Sequence, residues 1–259
     1  MKNANYSEIT ESTGQRATRE QLERLYQRYR FASTQITGGA ILEVGCGSGM
    51  GLAYLKRYAS RVTGGDIDMQ NIEAATQKHR GNREITVVHM DAHDLPFDDE
   101  SFDTILLLET IYYLENPEQS VSEAHRTLSK KGKLIVCTVN KSWKDFHPSK
   151  YSRKYFSVPE LDALLRNKFA NREFYAAFEV EDATISTKMY SLVKRTASKL
   201  SLIPGSLKAR ELLKRLFIGE LQPIPAEVSD GITEYREPVP LRKDCPTGRY
   251  KILYVVASK

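Results

Sequence analysis

Between residues 40 and 139 short apolar runs alternate with longer amphipathic stretches. AILEV (40–44) is followed by a glycine-rich turn and GLAYLKRYA (51–59), and RVTGGDI (61–67) by a helical pattern over 69–80. EITVVHMDA (84–92) leads through a loop to FDTILLLE (102–109); a helix over about 117–129, the turn KKGK and KLIVCTV (133–139) follow. Continuous apolar strands that alternate with helices predict a parallel sheet covered on both faces. Ahead of this block, Thr18 three residues before Gln21 predicts a capped helix start. Leu22, Leu25, Tyr26 and Tyr29 then recur at helical spacing, and Gly38-Gly39 ends the segment.

After Asn140 the rhythm changes. Residues 140–157 are polar and aromatic without periodicity, 158–169 predict a helix with Pro159 near its start, and 172–181 and 249–259 predict strands. The roughly 65 residues between those strands far exceed an ordinary connection. Met189, Leu192, Val193, Ala197, Leu200 and Ile203 form one helical stripe, and Leu207, Leu212, Leu213, Leu216 and Phe217 a second, both with basic outer faces. Residues 222–248 are rich in proline and predict no regular structure. The domain reading is therefore one domain: a helical lid (1–37), an α/β core (38–181 and 249–259), and an insertion (182–248) that either packs on the sheet or caps an acceptor site.

Composition narrows the class. The chain has 259 residues, 41% of them hydrophobic and 27% charged, which suits a globular protein with a sizeable core and excludes a disordered chain. A net charge of +5 is weak evidence for a polyanionic partner, and no aromatic-basic stacking platform speaks for nucleic acid. Cys46, Cys137 and Cys245 are scattered, which argues for reduced thiols and against a metal site. The first 14 residues read as a frayed polar arm without the apolar run of a signal peptide; the apolar stretch 104–114 is broken by Glu109 and too short to span a bilayer. A cytoplasmic protein, monomer or homodimer, is the expectation.

The most specific local signal is Glu43-Val44-Gly45-Cys46-Gly47-Ser48-Gly49-Met50-Gly51, running from a strand into a helix. Such a turn lets a ligand approach the main chain, with helix N–H groups behind it. The dinucleotide fingerprint requires a small third residue, where this chain has Met50 or Leu52 depending on register. Asp66 stands 19 residues after Gly47. It is placed either to accept ribose hydroxyls or, like Asp68, to cap the following helix.

Together with Asp91-Ala92, Leu95-Pro96-Phe97, Ser101-Phe102-Asp103 and Leu128 before Lys131-Gly132, these residues resemble class I S-adenosylmethionine-dependent methyltransferases, in the branch that modifies small molecules, quinones and sugars. The resemblance covers roughly residues 40–140, about two fifths of the chain. It implies a Rossmann-like, doubly wound sheet of seven strands, mostly parallel with the last antiparallel. It also implies S-adenosylmethionine as cofactor, released as S-adenosylhomocysteine. Gly45, Cys46, Gly47 and Gly49 would lie along its methionine part, and Glu43 would reach the ammonium. Asp66 would hold the ribose, Ile67 would pack on adenine, Asp91 and the Ala92 backbone would read the adenine edge, and carbonyls near Leu108 would face the amine.

Transfer needs a lone pair in line with the S–CH₃ bond, helped at a hydroxyl by a base. Glu109, at the end of its strand, is the first candidate for that base, or else binds the cofactor amine or caps the next helix. His147 is the second, or else a surface histidine. Tyr112, Tyr113, Asn140 and Trp143 either line the acceptor pocket or merely pack. The segment 140–157 resembles methyltransferases of glycan and antibiotic-sugar pathways, so a sugar hydroxyl, on an acceptor either neutral or anionic, is the expected target. A quinone or lipid-like molecule is the alternative, and a cofactor-binding protein without turnover the reading from another class.

Overall fold

The computed structural model describes residues 14–149, 151–180 and 221–259. β1 (Arg16–Ala17) leads into α1 (Arg19–Gln35), which opens on the expected capping box: Gln21 N–H donates to Thr18 Oγ1 at 3.2 Å, and Thr18 N–H to Gln21 Oε1 at 3.1 Å. Then come β2 (Ala40–Val44), α2 (Leu52–Lys56), β3 (Arg61–Asp66), α3 (Met69–Lys78), β4 (Ile85–His89) and β5 (Phe102–Leu108). A 3-10 turn (Ile111–Tyr113) precedes α4 (Pro117–Thr127) and β6 (Leu128–Val139). The remaining elements are α5 (Val158–Leu165), β7 (Asn171–Glu179), β8 (Gln222–Pro223), β9 (Val239–Leu241) and β10 (Tyr250–Ser258).

The central sheet has the order β4-β3-β2-β5-β6-β10-β7-β9. β2 through β6 pair in parallel, and β10 lies antiparallel to both β6 and β7. The chain order reverses between β2 and β5, the place where open α/β sheets bind ligands beyond the strands' carboxyl ends. One apolar layer, with Leu25, Tyr29, Leu52 and Leu55, sits under α1 and α2; the other, with Val121, Leu161 and Leu165, sits under α4 and α5.

Three expectations need correction. The sheet has eight strands rather than seven, because Val239–Leu241 adds an antiparallel edge strand to β7 with Phe174 opposite Leu241. Residues 222–248 therefore carry two short strands, β8 and β9, and Pro240 is tolerated at an edge. Strand β6 begins at Leu128, not 133, since the Lys130-Lys131-Gly132 turn is absorbed as an irregularity opposite Phe102 and Thr104. The two helical stripes expected over 189–217 lie outside the described residues. Among the described residues, no helix is long and apolar enough to cross a membrane.

Candidate active site

At the end of β2 the backbone bends through Gly45, Gly47 and Gly49, with φ of +77°, +55° and +74°. A side chain at Gly45 would suffer twice, from the left-handed φ and from a Cβ 2.5 Å from Thr110 Oγ1. Gly45 and Cys46 both donate N–H to the Gly65 carbonyl, at 2.7 and 3.0 Å, which ties the turn to β3. His79, at the end of α3, bonds the Gly49 carbonyl from its Nε2 at 2.8 Å, a support that its position in a polar helix does not announce.

Glu43 is 1% exposed, and its Oε1 accepts a hydrogen bond from Tyr29 Oη at 2.7 Å. Its Oε2 is buried with no hydrogen-bond partner. Burial raises the carboxyl to about 7, against the opposing pull of the Tyr29 hydroxyl and the Arg28 charge. A buried carboxylate oxygen left without a donor is rare enough to require explanation, and a cationic ligand group supplies one. Tyr29 escaped the sequence reading because its recurrence with Leu22, Leu25 and Tyr26 signals only packing; the clue is its hydroxyl, which needs a partner once buried.

Asp66 is buried, and its Oδ2 accepts the Gly47 N–H and its Oδ1 the Asp68 N–H, both at 2.9 Å. Burial raises its pKa against these bonds. The N-cap of α3 is Asp68, which accepts the Gln70 N–H, so Asp66 braces the glycine turn and does not cap the helix. Beside it Ile67 is 49% exposed, an apolar surface open for covering. Asp91 Oδ1 takes both the backbone N–H and ring Nδ1 of His93, at 2.9 and 2.6 Å. His93 Nε2 accepts the Asn116 N–H at 3.1 Å, which assigns the ring its Nδ1–H tautomer. Burial would raise the Asp91 pKa, but the His93 bonds outweigh it and hold the carboxylate below its usual range. Ala92 is half-buried next to it.

Glu109 follows β5 with φ of +58°, a left-handed conformation that costs a non-glycine residue of order 1–3 kcal/mol. Tyr112 Oη donates to its Oε2 at 2.7 Å and Cys137 Sγ to its Oε1 at 3.5 Å, while its own N–H goes to the Cys137 carbonyl at 2.8 Å. The Leu108 carbonyl, expected to face a ligand amine, accepts the Thr110 hydroxyl at 3.2 Å. Tyr112 is fully packed: Tyr155 stacks on it at 4.9 Å and Tyr113 tilts against it at 4.5 Å. Phe146 meets the edge of Tyr155 at 4.8 Å, and the Tyr112 carbonyl takes the N–H groups of Arg153 and Lys154. Thus the loop over 140–157 brings Phe146 and Tyr155, which sequence reasoning missed, to the residues after β5.

The other candidates scatter. Asn140 is completely buried, its amide donating to the Thr247 and Tyr250 carbonyls at 2.9 and 2.8 Å; it anchors the loop to β10. Trp143 is half-buried beneath Lys251. His147 is exposed on the loop. Cys46 is turned toward β3, where its Sγ lies 3.1 Å from the Cβ that Gly64 lacks. Burial pushes the Cys46 and Cys137 thiols well up, while Cys245 is exposed. A thiol reagent should accordingly label a single cysteine, Cys245, in the native protein and all three after denaturation; labelling of Cys46 at the same rate would contradict this packing.

Residues 42–136 match the family described as a methyltransferase domain. Among curated relatives, a demethylmenaquinone methyltransferase of Clavibacter sepedonicus is 30% identical over 115 residues, 43% of this chain and 47% of that protein. A phthiotriol/phenolphthiotriol dimycocerosates methyltransferase of Mycobacterium tuberculosis is 36% identical over 104 residues, 39% of this chain and 38% of that protein. The chain thus spans less than half the length of either relative. A methyltransferase structure from Thermotoga maritima shares the fold, with a TM-score of 0.57 at 21% identity over 92% of each chain. The matched segment runs from β2 through the glycine turn to β6.

Proposed function

We propose that this chain, whose residues 42–136 match a methyltransferase domain, transfers the methyl group of S-adenosylmethionine to a hydroxyl of a small quinol-like or lipid-like molecule. The observation that carries the reading is Glu43: a carboxylate buried at the head of a glycine turn, with one oxygen lacking any partner, suits an ammonium group. When bound, the cofactor supplies an electrophilic methyl on a sulfonium whose charge disappears on transfer.

The residues divide the work. Glu43 pairs with the ammonium, and Gly45, Gly47 and Gly49 keep the main chain free of side chains along the methionine part. Asp66 already accepts the Gly47 N–H of the turn, the Asp68 N–H and the Asn71 side chain, and its remaining capacity accepts a ribose hydroxyl. Ile67 covers one face of the adenine, and Asp91, held by His93, accepts from the adenine amine beside the Ala92 N–H. Glu109 takes the proton of the acceptor hydroxyl; its conformational strain and its two donors, Tyr112 and Cys137, fix its orientation. His147, on an exposed loop, is the weaker candidate for that role.

The aromatic cluster of Tyr113, Tyr155 and Phe146 built around Tyr112, whose hydroxyl bonds Glu109, suits a ring or an apolar chain, and the relatives named for quinone and lipid substrates point the same way. The sugar expected from the 140–157 segment has no such support. Formation of S-adenosylhomocysteine should be measured with hydroquinones, phenolic lipids and glycosides in parallel. Turnover confined to glycosides would overturn the acceptor class, and absence of cofactor binding would overturn the whole reading. With a productive acceptor, Glu109→Gln should lower kcat by about 10²–10⁴-fold and leave cofactor affinity unchanged; an undiminished kcat would remove Glu109 from catalysis.

A further inference from the structure

Tyr26 and Tyr29 stand three residues apart on one face of α1, and each places its hydroxyl on a carboxylate. Tyr29 bonds Glu43, in the sheet. Tyr26 bonds Asp230 Oδ1 at 3.1 Å, in the proline-rich segment some 200 residues away. The same oxygen receives Tyr54 Oη, from α2, at 2.8 Å, and Asp230 Oδ2 receives Arg57 Nη2 at 2.8 Å. Asp230 therefore joins the helix that carries Tyr29 to the helix that follows the glycine turn.

Its segment is fastened at several other points. The Val228 N–H donates to the Met50 carbonyl, inside the glycine turn, at 2.9 Å, and Lys78 Nζ donates to the Ala226 carbonyl at 2.6 Å. The Ile224 N–H donates to the Gln15 carbonyl at 2.9 Å, and β8 pairs with β1 just before α1. Val228 is buried, and Tyr235 meets the edge of Tyr26 at 6.5 Å. The segment from Ile224 to Tyr235 thus lies as a strap over α1, α2 and the turn.

We infer that Asp230 is a positioning residue for the cofactor, and that the strap belongs to the cofactor half of the site and is not an acceptor cap. Asp230 sets the place of α1, α1 sets Tyr29, and Tyr29 holds Glu43 Oε1 so that Oε2 meets the ammonium. The inference rests on the reading of Glu43 given above.

The test is calorimetric titration of the full chain with S-adenosylhomocysteine, well below the melting temperature of every variant. Asp230→Asn, which keeps shape but weakens three bonds, should raise Kd about tenfold or more with one-to-one stoichiometry. Tyr26→Phe, which removes one bond, should raise it by less. Tyr29→Phe combined with Asp230→Asn should be no worse than the more severe single change, because both act through Glu43. With a productive acceptor, the cofactor KM should rise while kcat and the acceptor KM stay within about twofold. Should Asp230→Asn and Tyr26→Phe lower the melting temperature yet bind as the unmodified protein does, or should the two effects simply add, the strap has a structural role only and the inference fails. No binding by the unmodified chain would instead overturn the reading of Glu43, and that outcome is visible before any variant is made.

Discussion

Glu43→Gln is expected to steady the fold above neutral pH and to cost about a hundredfold in affinity for S-adenosylhomocysteine. The first half follows from linkage. Burial lifts the Glu43 carboxyl from 4.5 to about 7, so between those values the folded chain holds a proton that the unfolded chain has released. Stability must therefore fall as pH rises from about 4.5 to about 7, and level off above; a shift of this size corresponds to about 3 kcal/mol. The amide carries no such charge, so urea unfolding at pH 8 should find Glu43→Gln the more stable protein, and at pH 5 the two should converge. The second half follows from the unpaired oxygen: truncating one partner of a buried charge pair costs about 2–5 kcal/mol. Because the ammonium needs the ionised carboxylate, cofactor affinity of the unmodified chain should climb with pH up to about 7 and binding should release a proton. Titrations in buffers of different ionisation enthalpy read that proton directly. A pH-independent affinity would show that Glu43 does not face the ammonium.

Gly51→Ala should be strongly destabilising for want of space alone. The backbone at Gly51 is ordinary right-handed helix, with φ −93° and ψ −15°, so alanine meets no conformational objection there. The objection is space: a Cβ would lie 1.9 Å from Tyr29 Cε1 and 2.1 Å from Cζ. Tyr29 is 4% exposed and bonded to Glu43, so it can yield only by leaving that carboxylate without its donor. Overpacking and the lost bond together amount to about 3 kcal/mol, a fall of roughly 6–12 °C in Tm, with weaker cofactor binding besides. Tyr29→Leu removes the ring atoms in question, so in that background Gly51→Ala should cost little. A double-mutant cycle by thermal melting reads the coupling, and additivity would place the new methyl somewhere other than against Tyr29.

Sequence patterns served well where the determinant is local. The strands from AILEV to KLIVCTV announce themselves because buried parallel strands are apolar throughout, and Thr18 with Gln21 encodes its own cap. Asp66 ends β3, whereas Asp91 and Glu109, which the apolar runs predict as strand ends, follow β4 by two residues and β5 by one. What stayed hidden depends on partners far along the chain. β9 is three residues containing a proline and becomes a strand only because β7 offers an edge. Asp230 sits in a segment whose sequence predicts no regular structure, and its partners Tyr26 and Tyr54 come from 204 and 176 residues away. The tension at Glu109 is likewise invisible in sequence, because nothing about a glutamate announces a left-handed backbone.

The place of β10 has a consequence for how the chain is made. It lies between β6 and β7, both of which are synthesised well before it. Until Tyr250–Ser258 leaves the ribosome, those two earlier strands each have an open row of amides and carbonyls and cannot reach one another. A nascent chain arrested short of Tyr250 would therefore display two templates for pairing with its neighbours, and a chaperone would have most to shield at that stage of translation.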